Sequence, residues 1–421
     1  MKRYSEYKDS GVKWIGEIPG HWKICRTRYL CNINTGDKDT VMKEDNGKYP
    51  FYVRSPKIER INTFSYDGEA ILMAGDGVGA GKVFHYANGK FDYHQRVYNM
   101  HNICGVSGKF MFYFIRDQFH YAMEEKNAKS TVDSVRLPWL KAFPIAIPAQ
   151  EEQEAIVTYL DTKVAKIDEY ISIAEKKIAA LEELKQTIIA EAVTRGIHKE
   201  VPMKDSGVKW IGMIPEHWKV LCLKYLSKIK GRIGYRGYTA ADLVSEGEGA
   251  FVIGGKHINQ CILNTESPDY ISWDKYYESP EIMVSKGDIV MAQRGSLGKV
   301  ALIDKEINEA TINPSLVLIK DICCDASFLY FYLRSNSTLT LIELLNTATA
   351  VPMISQKQIE KMPIPLPPLP EQQEIVTYIE AKVANINQLC QAERSQIEKL
   401  KEYKQRLISD VVTGKVKVTN D

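Results

Sequence analysis

Two glycine-rich segments contain residue types that could hold a phosphate group, at 75–82 (GDGVGAGK) and 294–299 (RGSLGK). A nucleotide-binding P-loop requires Gly where Asp76 stands and Ser or Thr where Val83 stands, and RGSLGK also departs from it. The dinucleotide-binding pattern must open a helix, whereas KVFHY, after the first segment, has strand character. The tripeptide 313–315 (NPS) lacks the second proline and the aromatic residue with which adenine methyltransferases hold a flipped base. The sequence therefore offers no motif for nucleotide hydrolysis or methyl transfer, and none for nuclease or nucleophilic catalysis.

The two segments nevertheless share one order of features: strand, loop, Gly-Lys, strand. ILMA at 71–74 precedes the first loop, and IVMA at 289–292 precedes the second. Glycines let a backbone approach a ligand closely and donate N–H groups to phosphate. The side chains of Gln293 and Arg294 suit the edges of adenine and guanine. This order indicates a nucleic-acid contact, although a β-hairpin turn with ordinary surface charges would show the same sequence.

The distribution of charge supports a local nucleic-acid contact. The 421 residues carry a formal net charge of only +2. Residues 22–143 hold 18 basic and 13 acidic side chains (net +5), whereas 144–200 hold 7 and 11 (net −4). Residues 219–236 contain six basic side chains, no acidic ones and interleaved tyrosines. Such a stripe fits a phosphate-contacting surface, with a solvated strand and turn as the alternative, so a near-neutral total does not exclude DNA.

An internal repeat determines which elements must position these residues. KDSGVKWIGEIPGHWKI at 8–24 matches KDSGVKWIGMIPEHWKV at 204–220 in 14 of 17 positions. A second pair of copies occupies 144–194 and 363–413, and the segments between the copies look unrelated. The second variable segment is 23 residues longer, because the two repeat offsets are 219 and 196. The chain is therefore a tandem duplication with a constant frame and diverged inserts.

The second pair of copies predicts two long helices. Each begins after a proline-rich stretch and then has no Pro or Gly up to Thr194 or Thr413. Apolar residues from Val157 to Leu181 alternate in steps of three and four, which is the seam of a coiled coil, and Glu393 interrupts the same seam in the second copy. We expect two antiparallel helices of about 40 residues, each about 60 Å long at 1.5 Å per residue. Two independent amphipathic helices are the alternative.

The inserts predict mixed domains on twisted sheets. Short β-type runs occur at 69–74, 82–86, 288–292, 299–303 and 315–319, and helical runs at 110–126 and 326–346. Hydrophobic residues make up 44% of the chain and no apolar run approaches the roughly 20 residues of a membrane span. The first residues do not form a secretory signal, so we expect a cytoplasmic location. The eight cysteines have no C-x-x-C spacing, and no zinc site is predicted.

The duplicated frame closely resembles the specificity subunit of type I restriction–modification systems. The resemblance rests on SGVKWIGEIPGHWK and SGVKWIGMIPEHWK, on IAIPAQEEQEAIV and IPLPPLPEQQEIV, and on the helix ends EAVTRG and DVVTGK. It covers the whole chain in the same block order. The first copy departs from the pattern at Ala149 and Glu151, where the second has Pro368 and Pro370.

The resemblance implies an α+β architecture with two pseudo-symmetric α/β target recognition domains, joined by two long antiparallel coiled-coil helices from a tandem duplication. Residues 1–143 and 201–362 would be the recognition domains, 144–200 the central helical spacer and 363–421 the C-terminal helical spacer. Each domain would read one half of a bipartite double-stranded DNA target. The helices would set the half-site spacing and dock two modification (methyltransferase) subunits, with restriction subunits joining where cleavage occurs. The chain would be non-catalytic and hold no cofactor or metal, and S-adenosylmethionine is expected on the modification subunits.

The resemblance places DNA contacts in loops of the recognition domains, and the residue types select candidates there. They are, in the first domain, Lys82, Gln95, Arg96, Ser130, Thr131 and Arg136, and, in the second, Lys230, Arg232, Arg236, Lys256, Gln293, Arg294, Lys299 and Gln356. Two other classes remain open. An enzyme with a degenerate motif would bind S-adenosylmethionine itself, and a coiled-coil scaffold whose globular ends bind protein would show no sequence-dependent DNA binding with the modification subunit.

Overall fold

The computed structural model describes residues 2–126, 134–198, 200–346 and 351–418. The chain divides into two compact units. Unit 1 comprises Met1–Glu175 and Arg394–Asp421, and unit 2 comprises Lys176–Glu393. Both boundaries lie inside long helices, so these units differ from the four segments drawn from the repeat, which remain a prediction.

Unit 1 contains short strands in the repeated frame and longer strands in the insert. In chain order the elements are β1 (Tyr7–Asp9), β2 (Glu17–Pro19), β3 (Lys23–Arg26), β4 (Asn32–Thr35), β5 (Tyr49–Tyr52), β6 (Glu59–Ile61), β7 (Tyr66–Ala74), β8 (Phe84–Tyr93), β9 (Val97–His101), α1 (Gly108–Lys126), α2 (Leu137–Ala142) and β10 (Pro144–Ile147). Helix α3 (Gln150–Arg195) begins in unit 1 and continues into unit 2.

Unit 2 repeats this arrangement with additional strands. Its elements are β11 (Met203–Asp205), β12 (Met213–Pro215), β13 (Lys219–Cys222), β14 (Lys228–Gly231), β15 (Leu243–Val244), β16 (Gly249–Ile253), β17 (Ile258–Asn259), β18 (Ile262–Leu263), β19 (Asp269–Ser272), α4 (Trp273–Tyr277), β20 (Ile289–Ala292), β21 (Val300–Leu302), β22 (Ala310–Ile312), β23 (Leu316–Lys320), α5 (Ala326–Leu333), α6 (Asn336–Leu345), α7 (Gln356–Glu360) and β24 (Pro363–Leu366). Helix α8 (Leu369–Val412) begins in unit 2 and ends in unit 1.

The main sheet of unit 1 has the strand order β4-β9-β7-β8-β5-β6. Alternate side chains of β7 face opposite sides, as a strand requires. Ile71 and Met73 pack with the aromatic side chains of α1, whereas Leu72 packs with Phe91 on the other face. Phe91 of β8 pairs with Tyr66 at the start of β7, and Val97 of β9 pairs with Ala74 at its end, so β8 and β9 flank β7 on its two sides.

The central sheet of unit 2 has the order β14-β23-β20-β21. This is the same antiparallel connectivity as β4-β9-β7-β8 in unit 1. Ile289 and Met291 face α5, while Val290 and Ala292 face a second sheet, β15-β19-β16-β22, within one core cluster. The longer insert of the second half therefore includes an additional layer that covers the far side of the shared sheet.

The predicted α+β fold class is confirmed in its main elements. The five β-type runs overlap β7, β8, β20, β21 and β23, and the helical run at 110–126 lies in α1. The run at 326–346 forms two helices, α5 and α6, instead of one. The long helices contain 46 and 44 residues, close to the predicted length.

The helices α3 and α8 pack antiparallel, and their apolar seam is buried or half-buried throughout. In unit 2 the side chain of Lys185 donates to Asn387 at 3.3 Å, while Lys177, earlier in α3, pairs with Glu393, later in α8. The side chain of Glu393 is 16% exposed and that of Lys177 is 55% exposed. The carboxylate that interrupts the heptad pattern is therefore tolerated because a lysine on the facing helix neutralises it.

In each half of the chain, the start of the long helix is hydrogen-bonded to the first repeated segment, 8–24 or 204–220. We call this contact the joint. In unit 1, Glu152 accepts hydrogen bonds from Trp22 Nε1 (3.1 Å) and Tyr4 Oη, and its carboxylate lies 2.9 Å from His21 Nε2. In unit 2, Glu371 accepts from Trp218 Nε1 at 3.0 Å and lies 2.7 Å from His217 Nε2.

Each tryptophan of the joint also covers the end of a long helix. A Cβ on Gly196, which follows α3 at a φ of +75°, would lie 3.4 Å from Trp218. A Cβ on Gly414, which follows α8 at a φ of +74°, would lie 3.2 Å from Trp22. The glycines in EAVTRG and DVVTGK thus permit the left-handed turn, and at Gly414 glycine also avoids crowding, because a Cβ there would lie 2.4 Å from Pro19 Cδ.

Candidate nucleic-acid interface

The end of the central strand in each unit carries the same set of backbone hydrogen bonds. In unit 1, Gly75 N donates to Arg96 O (2.9 Å), and Val135 N donates to Gly75 O (2.8 Å). In unit 2, Gln293 N donates to Ser315 O and Ile354 N donates to Gln293 O, both at 2.9 Å. In each unit these bonds join three segments of the chain. We call the bonded residues, together with the residues next to them, the loop edge: Gly75, Arg96 and Val135 in unit 1, and Gln293, Ser315 and Ile354 in unit 2.

The loop edges align residue by residue across the two units. One further β-bridge extends each, Asp76 to Ser134 in unit 1 and Arg294 to Met353 in unit 2. Asp76 therefore occupies the place of Arg294, and the position of Arg96 corresponds to that of Ser315. The insert sequences differ at these positions although the backbone that holds them is the same.

An ion-pair cluster occupies the loop edge of unit 1. Arg54 Nη1 lies 3.0 Å from Asp76 Oδ1, and Arg96 Nη1 contacts Asp76 Oδ2. Burial opposes ionisation of Asp76, but hydrogen bonds from Arg96 and Arg54 outweigh it and hold the pKa of the carboxyl below its usual range. The side chains of Arg54 and Arg96 are 42% and 60% exposed, so both guanidinium groups remain accessible.

The turn from residue 94 to 96 positions Gln95 and Arg96. His94 Nδ1 accepts from Arg96 N at 3.0 Å, and its other ring nitrogen lies 3.8 Å from Asp39. Burial is the main cause that lowers the pKa of His94, which suits a neutral ring in this accepting role. Gln95 Nε2 donates to Asp39 at 3.1 Å. Of the two predicted residues in this turn, Arg96 therefore contacts Asp76 and Gln95 contacts Asp39.

The remaining candidates of unit 1 lie around the same edge. Lys82 is exposed in the loop between β7 and β8, and its backbone N–H donates to Gly79. Arg136 is exposed directly after Val135, and its guanidinium lies 5.5 Å from the ring of Trp139. Ser130 and Thr131 lie outside the described residues.

At the loop edge of unit 2, Gln293 and Arg294 point their side chains differently. Gln293 Nε2 donates to Pro314 O at 3.1 Å, which ties the side chain to the backbone. Arg294 is exposed and its guanidinium contacts the sulfur of Met353 at 3.4 Å. Of the two predicted base-reading residues, Arg294 presents its donors to solvent.

Other candidates of unit 2 form two further groups. Lys299 Nζ donates to Gly255 O at 2.8 Å, next to Lys256, whose ammonium lies 2.7 Å from Asp269. Lys230 is half-buried on β14, the strand that ends at Gly231. A Cβ on Gly231 would lie 2.3 Å from Gln356 Nε2, so a larger residue there would displace the end of this side chain.

Arg232 lies in the interior of unit 2. It is 7% exposed, its Nη2 donates to Thr311 at 3.2 Å and its guanidinium lies 5.3 Å from the ring of Tyr238. Burial lowers its pKa. Arg236 pairs with Glu281 at 3.5 Å. The packing commits Arg232 to the domain interior in this structure, and a DNA contact by it stays an untested prediction.

Sequence reasoning missed Arg54 and Asp76 as members of the edge. In the sequence Asp76 stands out only as a departure from the P-loop pattern, and Arg54 follows β5, 22 residues before its partner. What the arrangement can do follows from the donors it exposes. A guanidinium held by a carboxylate keeps free N–H groups for guanine edges or phosphate oxygens.

No helix of the described residues is long and apolar enough to cross a bilayer.

Comparisons with known proteins agree with this duplicated architecture. The family model for the type I restriction modification DNA specificity domain matches residues 19–183 and again 215–399. Because the two matches cover most of the sequence, the chain belongs to the family of type I restriction–modification DNA specificity subunits. It is a non-catalytic DNA-recognition subunit whose partners are DNA and a methyltransferase.

Particular relatives extend over nearly the whole chain. It is 22% identical to the type I restriction enzyme EcoDI specificity subunit of Escherichia coli, over 95% of this chain and 90% of the relative. It is 24% identical to the MjaVIII specificity subunit of Methanocaldococcus jannaschii, over 98% of both chains.

Solved structures show the same fold. One chain comes from work on complex assembly and conformational transition of a type I R-M system. It superposes with a TM-score of 0.69 at 17% identity, covering 94% of this chain and 98% of that one. The HsdS subunit from Thermoanaerobacter tengcongensis gives a TM-score of 0.51 at 16% identity, with coverage of 95% and 98%.

Proposed function

We propose that each unit reads one half of a bipartite DNA target through its loop edge. The observation that carries this proposal is the shared backbone of the two edges, which holds Asp76 and Arg96 in one unit and Arg294 and Ser315 in the other. Different side chains on one scaffold favour two different half-sites, because base edges are distinguished by the donors and acceptors presented to them. The target is therefore asymmetric, with an unread gap.

The helices α3 and α8 would set the distance between half-sites and dock the methyltransferase subunits. Two copies of the joint at Glu152 and Glu371 favour two docking positions and hence two modification subunits. S-adenosylmethionine would bind those subunits, and restriction subunits would join the complex where the DNA is cleaved. The chain itself would supply recognition in the cytoplasm and no chemistry.

Methylome mapping of cells that express the chain with its modification partner tests this function. We expect methylated adenines in a two-part motif with a fixed gap. Uninterrupted base protection in a footprint of the purified complex would contradict two separate half-sites. Tight S-adenosylmethionine binding by the chain alone would favour an enzyme, and DNA binding without sequence preference in the complex would favour a scaffold.

A further inference from the structure

The carboxylate of Asp76 stands at a place where a DNA-binding edge would be expected to carry a donor. DNA presents phosphate along its whole length, and a carboxylate facing it is repelled. Arg294 occupies the equivalent backbone position in unit 2. The exchange of an arginine for an aspartate at this position therefore calls for a local reason, and the partners of Asp76 provide one.

Both oxygens of Asp76 are engaged by arginines from different parts of unit 1. Oδ1 accepts from Arg54, which follows β5, and Oδ2 accepts from Arg96, which precedes β9. The Asp76 side chain is 18% exposed, whereas the two arginine side chains are about half exposed, at 42% and 60%. The Asp76 carboxylate is thus less exposed than the two guanidinium groups that it binds, and the guanidinium groups form the outer surface.

We propose that Asp76 is a positioning residue that holds Arg54 and Arg96 as a fixed pair for reading the half-site of unit 1. This inference rests on the proposed function. Arginine has many rotamers, and fixing it before binding removes part of the entropy lost when it docks on a base. The turn that bears Arg96 is already fixed through its N–H bond to His94. The Asp76 carboxylate in addition fixes the guanidinium group at the end of the Arg96 side chain.

The arrangement also limits non-specific attraction to DNA. Two arginines and one carboxylate carry a net charge of +1, so the edge gains two directed donors without the full attraction of two cations. Loss of the carboxylate should raise affinity for any DNA and lower discrimination between bases. A residue with only a structural role would not produce these two opposite changes together.

The test compares Asp76→Asn with the wild-type chain, each assembled with its methyltransferase partner. Methylation rates are measured on duplexes with single base changes in either half-site. We expect discrimination in one half-site to fall about tenfold, out of the about 5- to 150-fold that a bidentate arginine supplies. The other half-site should be unchanged. Binding to unrelated DNA should gain a steeper salt dependence, with the log–log slope larger by up to about 0.9.

A matched control removes the same charge elsewhere in unit 1, on the strand that leads to Asp76. Asp67 is exposed on β7 at the end remote from the loop edge, so Asp67→Asn should keep discrimination in both half-sites. In an Arg54→Ala/Arg96→Ala background, Asp76→Asn should have no further effect on discrimination. An Asp76→Asn complex that discriminates like Asp67→Asn, or that loses discrimination in both halves equally, would overturn the inference.

Two further outcomes are also decisive. If the Asp76→Asn chain does not assemble, Arg96→Lys on the intact carboxylate replaces it, because lysine keeps the charge and loses the fork. Reduced discrimination in one half-site supports the inference, and unchanged discrimination refutes it. If the wild-type complex itself produces no two-part motif, the proposed function fails, and that failure is visible before any variant is compared.

Discussion

Replacement of Glu152 by alanine should destabilise the chain more than the same replacement at Glu371. Both carboxylates accept a hydrogen bond from a fully buried tryptophan, Trp22 or Trp218, and both have a partly exposed histidine beside them. The difference is Tyr4, whose hydroxyl donates to Glu152. Burial and then this hydrogen bond raise the pKa of Tyr4, so the hydroxyl remains a donor across the physiological range.

The magnitude follows from the donors that would lose their acceptor. An indole N–H left unsatisfied in the core costs about 1–3 kcal/mol, and a half-buried hydroxyl about 1 kcal/mol. The exposed histidines add little. Relief from burying the carboxylate acts in the opposite direction in both variants. We expect about 2–4 kcal/mol for Glu152→Ala and about 1–3 kcal/mol for Glu371→Ala, with a difference of about 1 kcal/mol.

Urea unfolding of the full chain, followed by circular dichroism, measures the difference. Hydrogen exchange assigns each transition to its unit, since a chain of two units need not unfold in one step. Tyr4→Phe is the control, because it should lower the cost of Glu152→Ala to that of Glu371→Ala. Equal losses for the two alanine variants in the presence of Tyr4, or losses below about 0.5 kcal/mol, would refute the role of the joint.

Three other perturbations follow from the structure. The pKa of His94 and that of His257 are lowered, mainly by burial, so the unfolded chain binds more protons. The contribution of these histidines to stability is therefore fully present above their ordinary pKa of about 6.5. It should be lost as the pH falls from there toward their lowered pKa values in the folded state. Melting temperatures at pH 8 and pH 5 check this, and equal values contradict it. Glu393→Leu should stabilise unit 2 by about 1 kcal/mol in urea, since it completes the seam and removes only a partly exposed pair with Lys177. Arg294→Ala should relax one base position at about 1–3 kcal/mol, and an unchanged methylation motif would disprove it.

The sequence predicted the elements whose pattern is local. Heptad spacing identified α3 and α8, and short β-type runs beside glycine-containing loops identified β7 and β20, because both patterns lie within short stretches of the sequence. The repeat indicated that the two halves share a frame. It did not indicate that the inserts share a sheet, since core positions accept many apolar residues of similar volume.

The loop edges were only partly accessible from the sequence. Arg294 was identified by its residue type beside a glycine-rich loop, and Arg96 by its residue type within a recognition domain. Their partners were not, because the bridges to Met353 and Ser134 and the pairing of Arg54 depend on strand register between distant segments. A basic stripe in the sequence does not distinguish an exposed cation from a buried one such as Arg232, which is 7% exposed and whose contact with DNA stays a prediction.

The duplicated and diverged parts of the chain experience different physical constraints. Glu152 and Glu371 each satisfy a buried indole, so a change there leaves an orphaned donor and lowers stability. Arg96 and Arg294 are held by backbone bonds that any residue can make, and their side chains are exposed. A substitution at these edges alters which donors face DNA at little cost in folding, because exposed side chains contribute little to stability. Selection for a new target can therefore act on the loop edges while the joints, on which both halves depend for folding, remain nearly identical.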